Sequence, residues 1–217
     1  MVPSKQPVEF EAIGTIQSKR ILIQYAVGEY HERMLRTTRA SHAAYCEHWS
    51  IDYHYCDKVI PTGKEPHWRK VTLMRDALHR GFDRVLWLDA DTVIMDHRID
   101  LFANCGYGIS CCECPANAID PTHYNSGVVF LQHLPEVEEF VCIWDESPDK
   151  YDGWRDQGVF NRLLAEPRFK EILTVLPHRF NSVPQSMPAT QPLICAAHGQ
   201  PPDRVKLMSD WLALVVR

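Results

Sequence analysis

The sequence predicts an α/β fold: one domain around a central mixed, mainly parallel sheet flanked by helices. Three observations predict it. Short β-rich apolar runs alternate with stretches of helical periodicity, the order in which a parallel sheet is laid down. The runs at 20–28 and 84–95 are almost continuously apolar, as strands covered on both faces are. The 217 residues suffice to bury one large core, and no internal repeat or low-complexity linker divides them.

In chain order, residues 1–19 lack periodicity and open with Pro3 and Pro7, which reads as an N-terminal arm ahead of a domain over 20–217. Residues 20–28 form a short strand stopped by Gly28. Tyr30, Met34, Thr38, His42, Tyr45 and Trp49 then recur at steps of three and four, one face of an amphipathic helix, and a second strand follows at 51–56. After a turn between Pro61 and Pro66, Trp68, Val71, Met74 or Arg75, and Leu78 keep helical spacing, with Gly81 placed as a C-cap. The run 84–95 is the most apolar strand, interrupted only by Asp89 and Asp91. Further strands are expected near 107–112, 127–131, 172–176 and 193–197, and helices near 135–146 and 154–165. Alternation is looser there, so this half of the sheet should be mixed rather than purely parallel.

Composition excludes several classes. Hydrophobic residues at 45% and charged residues at 24% are ordinary globular usage, which rules out disorder, collagen and coiled coil. A formal charge of -5 with no clustered basic face argues against nucleic acid as the main partner. Eight cysteines, at 46, 56, 105, 111, 112, 114, 142 and 195, are spread too unevenly for a disulfide scaffold, so reduced thiols and a cytoplasmic setting are expected. The longest strongly apolar stretch, 21–27, contains Gln24, and the first twenty residues hold no apolar signal-peptide core. The chain is therefore read without a membrane segment, either cytoplasmic as it stands or a domain excised from a larger protein.

Asp89 and Asp91 end the strand that begins with Arg84, the edge of an open α/β sheet at which ligands bind. Two carboxylates so close repel each other and are costly to desolvate unless a proton or cation compensates. A hard divalent ion such as Mn²⁺ or Mg²⁺ compensates and keeps coordination sites for phosphate oxygens. The same spacing also suits a solvated acidic turn.

The run from Val85 through Asp89-Ala90-Asp91 to Met95 resembles the DXD motif of nucleotide-sugar glycosyltransferases of the Rossmann-like GT-A fold, in particular the galactosyl-, mannosyl- and xylosyltransferase group. Four further blocks agree in order: His67-Trp68-Arg69-Lys70, Asn125-Ser126-Gly127 running on to Phe130, Trp154-Arg155-Asp156-Gln157-Gly158, and Ala197-His198-Gly199. The resemblance covers roughly residues 20–208 and implies a hexosyl- or pentosyltransferase that uses a UDP- or GDP-sugar donor, Mn²⁺ or Mg²⁺, and a hydroxyl of a glycan or glycoconjugate acceptor.

The same resemblance assigns roles. Tyr25, Ala26, Val27 and Gly28 would lie over the nucleotide base, although Tyr25 equally suits the core. Lys70, with Arg69 as its competitor, would approach the diphosphate. Asp89, Asp91 and His198 would hold the metal, with Ala90 against the nucleotide between the two acids. Asn125 and Ser126 would contact the donor sugar, and Asp156 with Gln157 would be the catalytic pair. Asp156 would be a general base if the reaction inverts the anomeric centre and would stabilise oxocarbenium-like charge if it retains. The lysine that often follows the histidine and glycine is displaced here to Lys206, which puts its phosphate role in doubt. Acceptor choice is expected in 112–124 and 180–192.

Two other readings use the same residues. A haloacid-dehalogenase-type phosphohydrolase would take Asp89 and Asp91 as nucleophile and acid, with Asp145 or Asp149 downstream. No lysine lies between the two acidic motifs to steady an aspartyl phosphate, and the first motif stands unusually far into the chain. A non-catalytic zinc module would use Cys105, Cys111, Cys112 and Cys114 with His123 or His133, yet only one C-x-x-C pair is present.

Overall fold

The computed structural model describes residues 18–57, 65–114, 124–147, 155–183, 189–197 and 203–217. Its central sheet is formed by β1 (Arg20–Tyr25), β2 (Asp52–Cys56), β3 (Arg84–Leu88), β5 (Ile109–Glu113), β6 (Tyr124–Gln132) and β7 (Leu173–Leu176). These lie in the order β2-β1-β3-β6-β5-β7. Only β6 runs against the others, so the sheet is mixed and mainly parallel. A separate antiparallel pair joins β4 (Thr92–Ile94) to β8 (Ile194–Ala196). The helices are α1 (Glu29–His48), α2 (Arg69–His79), α3 (Pro135–Glu146), α4 (Arg155–Leu164), the single turn α5 (Pro167–Lys170) and α6 (Arg204–Leu212).

The side-chain alternation of each strand divides the core in two. Ile21, Ile23, Val85, Trp87, Val129 and Leu131 pack on one face beneath α2, α3 and α4, where Phe140 meets Trp144, Phe160 and Phe169 edge to face. Leu22, Leu86, Leu88, Val128 and Phe130 face the other way, towards Tyr45 and Cys46 of α1. The periodic face read on α1 is buried at Met34, Thr38, His42 and Tyr45, while Tyr30 at its start is exposed. On α2 the buried residue is Met74 rather than Arg75.

Three expectations change. The run 84–95 is two strands, because the chain turns at Asp89-Ala90-Asp91 and β4 leaves the main sheet for β8. The expected strand at 193–197 is β8, outside the main sheet. Helix α6 has no counterpart among the expected elements. The arm expected over 1–19 falls outside the described residues apart from Ser18 and Lys19, and the Lys19 backbone is hydrogen-bonded to Asp83 at both its amide and its carbonyl.

Candidate active site

The chain leaves β1 into α1 on one face of the sheet, comes back through β2, and then forms α2 on the other face before entering β3 on the far side of β1. Helices α1, after β1, and α2, before β3, thus lie on opposite faces, and a crevice opens at the carboxyl ends of β1 and β3, the usual ligand position in such sheets. A cavity of about 530 Å³ occupies it. Tyr25, Ala26 and Val27 line it from β1, Trp87, Asp89, Ala90 and Asp91 from β3 and its turn, and Lys70, Asp156 and Arg204 from three helices.

The acidic turn is held on several sides. The Asp89 amide donates to Gly127 O at 2.8 Å, and its carbonyl accepts from the Thr92 hydroxyl at 2.7 Å. Asp89 Oδ1 accepts from the Trp87 indole at 2.7 Å. Asp91, 6% exposed, meets Arg204 Nη1 through Oδ2 at 3.1 Å, and its carbonyl accepts from Ala197 N at 2.9 Å. The turn is thus tied to the chain segment that directly precedes His198. His198 itself, and Gly199, lie outside the described residues, and among those described no three His, Cys, Asp or Glu side chains group as a metal site.

A second cluster faces the acidic pair across the cavity wall. Lys70 Nζ lies 2.5 Å from Asp156 Oδ2 and donates to Ser126 Oγ at 2.8 Å and Ser126 O at 3.1 Å. Burial opposes the charge on Lys70, but Asp156, then Asp89 and Asp91, outweigh it and hold its pKa above the ordinary lysine value. Asp156 is positioned from both directions: its own carbonyl accepts from the Trp144 indole at 2.9 Å, and the Ser126 hydroxyl donates to its Oδ2 at 3.2 Å. Arg155, just before it, lines the cavity with φ 53°, a left-handed conformation that costs a non-glycine residue on the order of 1 kcal/mol.

The other sequence-nominated residues separate clearly. Tyr25 belongs both to the core and to the cavity wall. Gly28, at φ 88°, starts α1 beyond the lining residues. Arg69 is 2% exposed and does not line the cavity, because the helix turns it away from the wall that Lys70 forms. Asn125 and Ser126 are buried behind that wall. The Asn125 side chain accepts from Gly127 N at 2.7 Å, and Ser126 N donates to Gln157 Oε1 at 3.1 Å, so Asn125, Ser126 and Gln157 brace the strand end rather than face the open space. Lys206 is exposed and bound to Asp210 at 2.7 Å. Arg204, two residues earlier, is the cation that reaches the site. On α6, Arg204, Met208 and Trp211 stand at i, i+4 and i+7 and share the inward face, which directs Lys206 outward. The expected acceptor segments include 115–123 and 184–188, which lie outside the described residues.

The rival readings lose part of their residue sets, and Asp149 and His123 lie outside the described residues. Asp145 sits between helices, where it accepts from Thr72 and Arg75, away from the cavity. Cys111 and Cys112 are neighbours on β5 and point to opposite faces of the sheet, so they cannot share an ion. Burial pushes the Cys112 thiol up to about 12 and raises Cys111 as well, which keeps both protonated. None of the eight cysteines is in a disulfide.

Solved structures share this fold. A glycosyltransferase involved in the glycosylation of the major capsid of PBCV-1 aligns with a TM-score of 0.65 at 16% identity over 90% of this chain and 99% of its own. The glycosyltransferase GlyE of Streptococcus pneumoniae TIGR4 aligns at 0.59 and 15% identity over 91% of this chain and 62% of its own. Mouse xyloside xylosyltransferase 1 aligns at 0.55 and 12% identity over 84% and 100%. No curated protein sequence matches the chain. Residues 31–191 match the model of the nucleotide-diphospho-sugar transferases, and with that match spanning most of its length the chain belongs to this family of glycosyltransferases.

Proposed function

We propose that this glycosyltransferase moves a hexose or pentose from a UDP- or GDP-sugar to a hydroxyl of a glycan or glycoconjugate, with Mn²⁺ or Mg²⁺ held by Asp89 and Asp91. The observation that carries the proposal is the pairing of two carboxylates on one turn with a cavity of about 530 Å³, a volume suited to a nucleotide sugar. Hard oxygen donors on a short turn fit a divalent ion of this kind, and Ala197, fastened to Asp91, brings the chain up to His198 as the third candidate ligand. When bound, the ion supplies Lewis-acid neutralisation of the charge on the departing diphosphate.

The chain's own residues divide the remaining work. Tyr25, Ala26 and Val27 are apolar lining contributed by the end of β1 and the loop after it, and suit a base. Arg204 presents a guanidinium at the acidic turn and suits phosphate oxygens, the role left in doubt for Lys206. Asp156, held through one carboxylate oxygen by Lys70 and Ser126, presents a fixed negative charge to the anomeric centre, where positive charge develops as the bond to phosphate breaks. Gln157 acts one step back, by holding Ser126. Calorimetric titration of UDP and GDP with and without Mn²⁺ tests the reading. Native protein is expected to bind one nucleotide at least tenfold more tightly with the metal, on the order expected for losing an ion's contacts to phosphate, and Asp91→Asn to lose that gain. Equal binding with and without metal overturns it.

A further inference from the structure

Gln24 is fully buried in β1, on the face of the sheet otherwise occupied there by Leu22 and its apolar neighbours. A primary amide in such a place is costly unless every polar atom finds a partner. Its partners are specific. Gln24 Oε1 accepts from the Tyr53 hydroxyl at 2.8 Å and lies 2.7 Å from His42 Nδ1, and Gln24 Nε2 donates to the Asp89 carbonyl at 3.4 Å. On the far side of the ring, His42 Nε2 accepts the Ile94 amide at 3.2 Å. That contact fixes the tautomer: Nε2 is an acceptor, so the ring proton sits on Nδ1 and is donated to Gln24 Oε1. The amide can then point only one way, with its nitrogen towards Asp89. Burial, and then the neighbouring His97, push the His42 pKa down to about 3, so the ring stays in this neutral form.

The network begins on β1, α1 and β2 and ends on Asp89 and Ile94, the two sides of the turn that carries Asp91. Strand β4 pairs with β8 along one edge only, so His42 supplies the partner that the Ile94 amide would otherwise lack. We infer that Gln24, locked by His42 and Tyr53, is a positioning residue for this enzyme: together with the Thr92 hydroxyl and amide, which reach the same oxygen at 2.7 and 3.2 Å from within the turn, it holds the Asp89 carbonyl from the sheet side and with it the spacing of the Asp89 and Asp91 carboxylates. The inference rests on the proposed metal role of those two acids. Outer partners that orient ion-holding groups typically change affinity by about ten- to a hundredfold when removed.

The test is the Mn²⁺ dependence of UDP or GDP binding, by calorimetry at a temperature where circular dichroism shows each protein folded. Gln24→Leu keeps the volume and removes the amide, and is expected to weaken metal-dependent nucleotide binding about tenfold, the low end of that range, while metal-free nucleotide binding changes little. Val141→Ala, in α3 on the opposite face of the sheet, provides a comparably destabilised variant and is expected to bind as the native protein does. Native-like binding by Gln24→Leu, or an equal loss in Val141→Ala, overturns the positioning role. If native protein itself shows no metal dependence, the fault lies with the reading of Asp89 and Asp91 instead. Should Gln24→Leu not fold, Tyr53→Phe removes one donor to the same amide at constant shape. A two- to threefold loss, roughly the worth of one neutral hydrogen bond, is then expected, and no loss overturns the inference.

Discussion

Lys70 and Asp156 illustrate how a buried charge pair is governed by what remains when one member goes. Both side chains are 9% exposed, and Lys70 also faces Asp89 and Asp91. Removing the lysine leaves a carboxylate in a site that no longer compensates it, and Lys70→Met should destabilise the protein by about 3–5 kcal/mol, read as a shift of the urea midpoint. Combining it with Asp156→Asn should cost less than the two changes added, since no uncompensated ion then remains. The pH dependence has a definite sign. A lysine whose folded pKa lies above its ordinary 10.5 contributes stability that is fully present below 10.5 and is lost as pH rises through the folded value. On the alkaline side, the stability difference between native protein and Lys70→Met should therefore hold up to about pH 10.5 and shrink above it. A difference that does not shrink above pH 10.5 would contradict this assignment.

At the scale of elements, helix α2 sets Lys70 at its first turn, and its other end shows how local signals work. Gly81 has φ 77°, its amide donates to Leu78 O at 2.9 Å, and Phe82 N reaches back to Ala77 O at 3.3 Å, the paired bonds of a left-handed C-terminal stop. A Cβ on Gly81 would meet nothing within 4 Å, so Gly81→Ala should cost only the conformational strain, about 1 kcal/mol. Gly108, at φ 76°, is different: a Cβ there would lie 2.3 Å from Ile172 O, and Gly108→Ala should cost clearly more in the same denaturant titration. The Gly81 stop was legible in the sequence because glycine ends a helical period there. The break in 84–95 was not, because β3 from Val85 on and β4 apart from Thr92 are apolar and periodicity counts them as one strand; only the pairing of β4 with β8 separates them. Helix α6 escaped because just Met208 and Trp211 of its nine residues are buried, too few to show a period. Asn125 and Ser126 were legible as one block and Gln157 as part of another, but not that Ser126 is hydrogen-bonded to Gln157, since a motif marks proximity to a site without distinguishing its wall from the bracing behind it.

Across the whole molecule the site joins distant stretches of chain, and the Arg204 to Asp91 contact spans 113 residues. Packing of α6 on α1 carries the guanidinium to the acidic turn. With the chain at -5 overall, a dianionic donor needs positive charge placed locally, and Lys70, Arg155 and Arg204 line the cavity together with the acids. Arg204 stands in two competitions. Before nucleotide enters, it contends with any metal ion for Asp91 Oδ2, to which it is bonded at 3.1 Å. Once nucleotide is present, the same guanidinium is a partner for phosphate oxygens and works with the metal rather than against it. Removing its charge should therefore move two affinities in opposite directions. In Arg204→Gln, Mn²⁺ alone should bind more tightly and the nucleoside diphosphate more weakly, each by about fivefold, the scale of about 1 kcal/mol at the upper end for a partly exposed ion pair. Titrating Mn²⁺ without nucleotide, and then nucleotide at saturating Mn²⁺, reads the two effects separately. A loss in both would make Arg204 a structural brace for the turn, and no change in either would leave the pair with Asp91 without a part in donor binding.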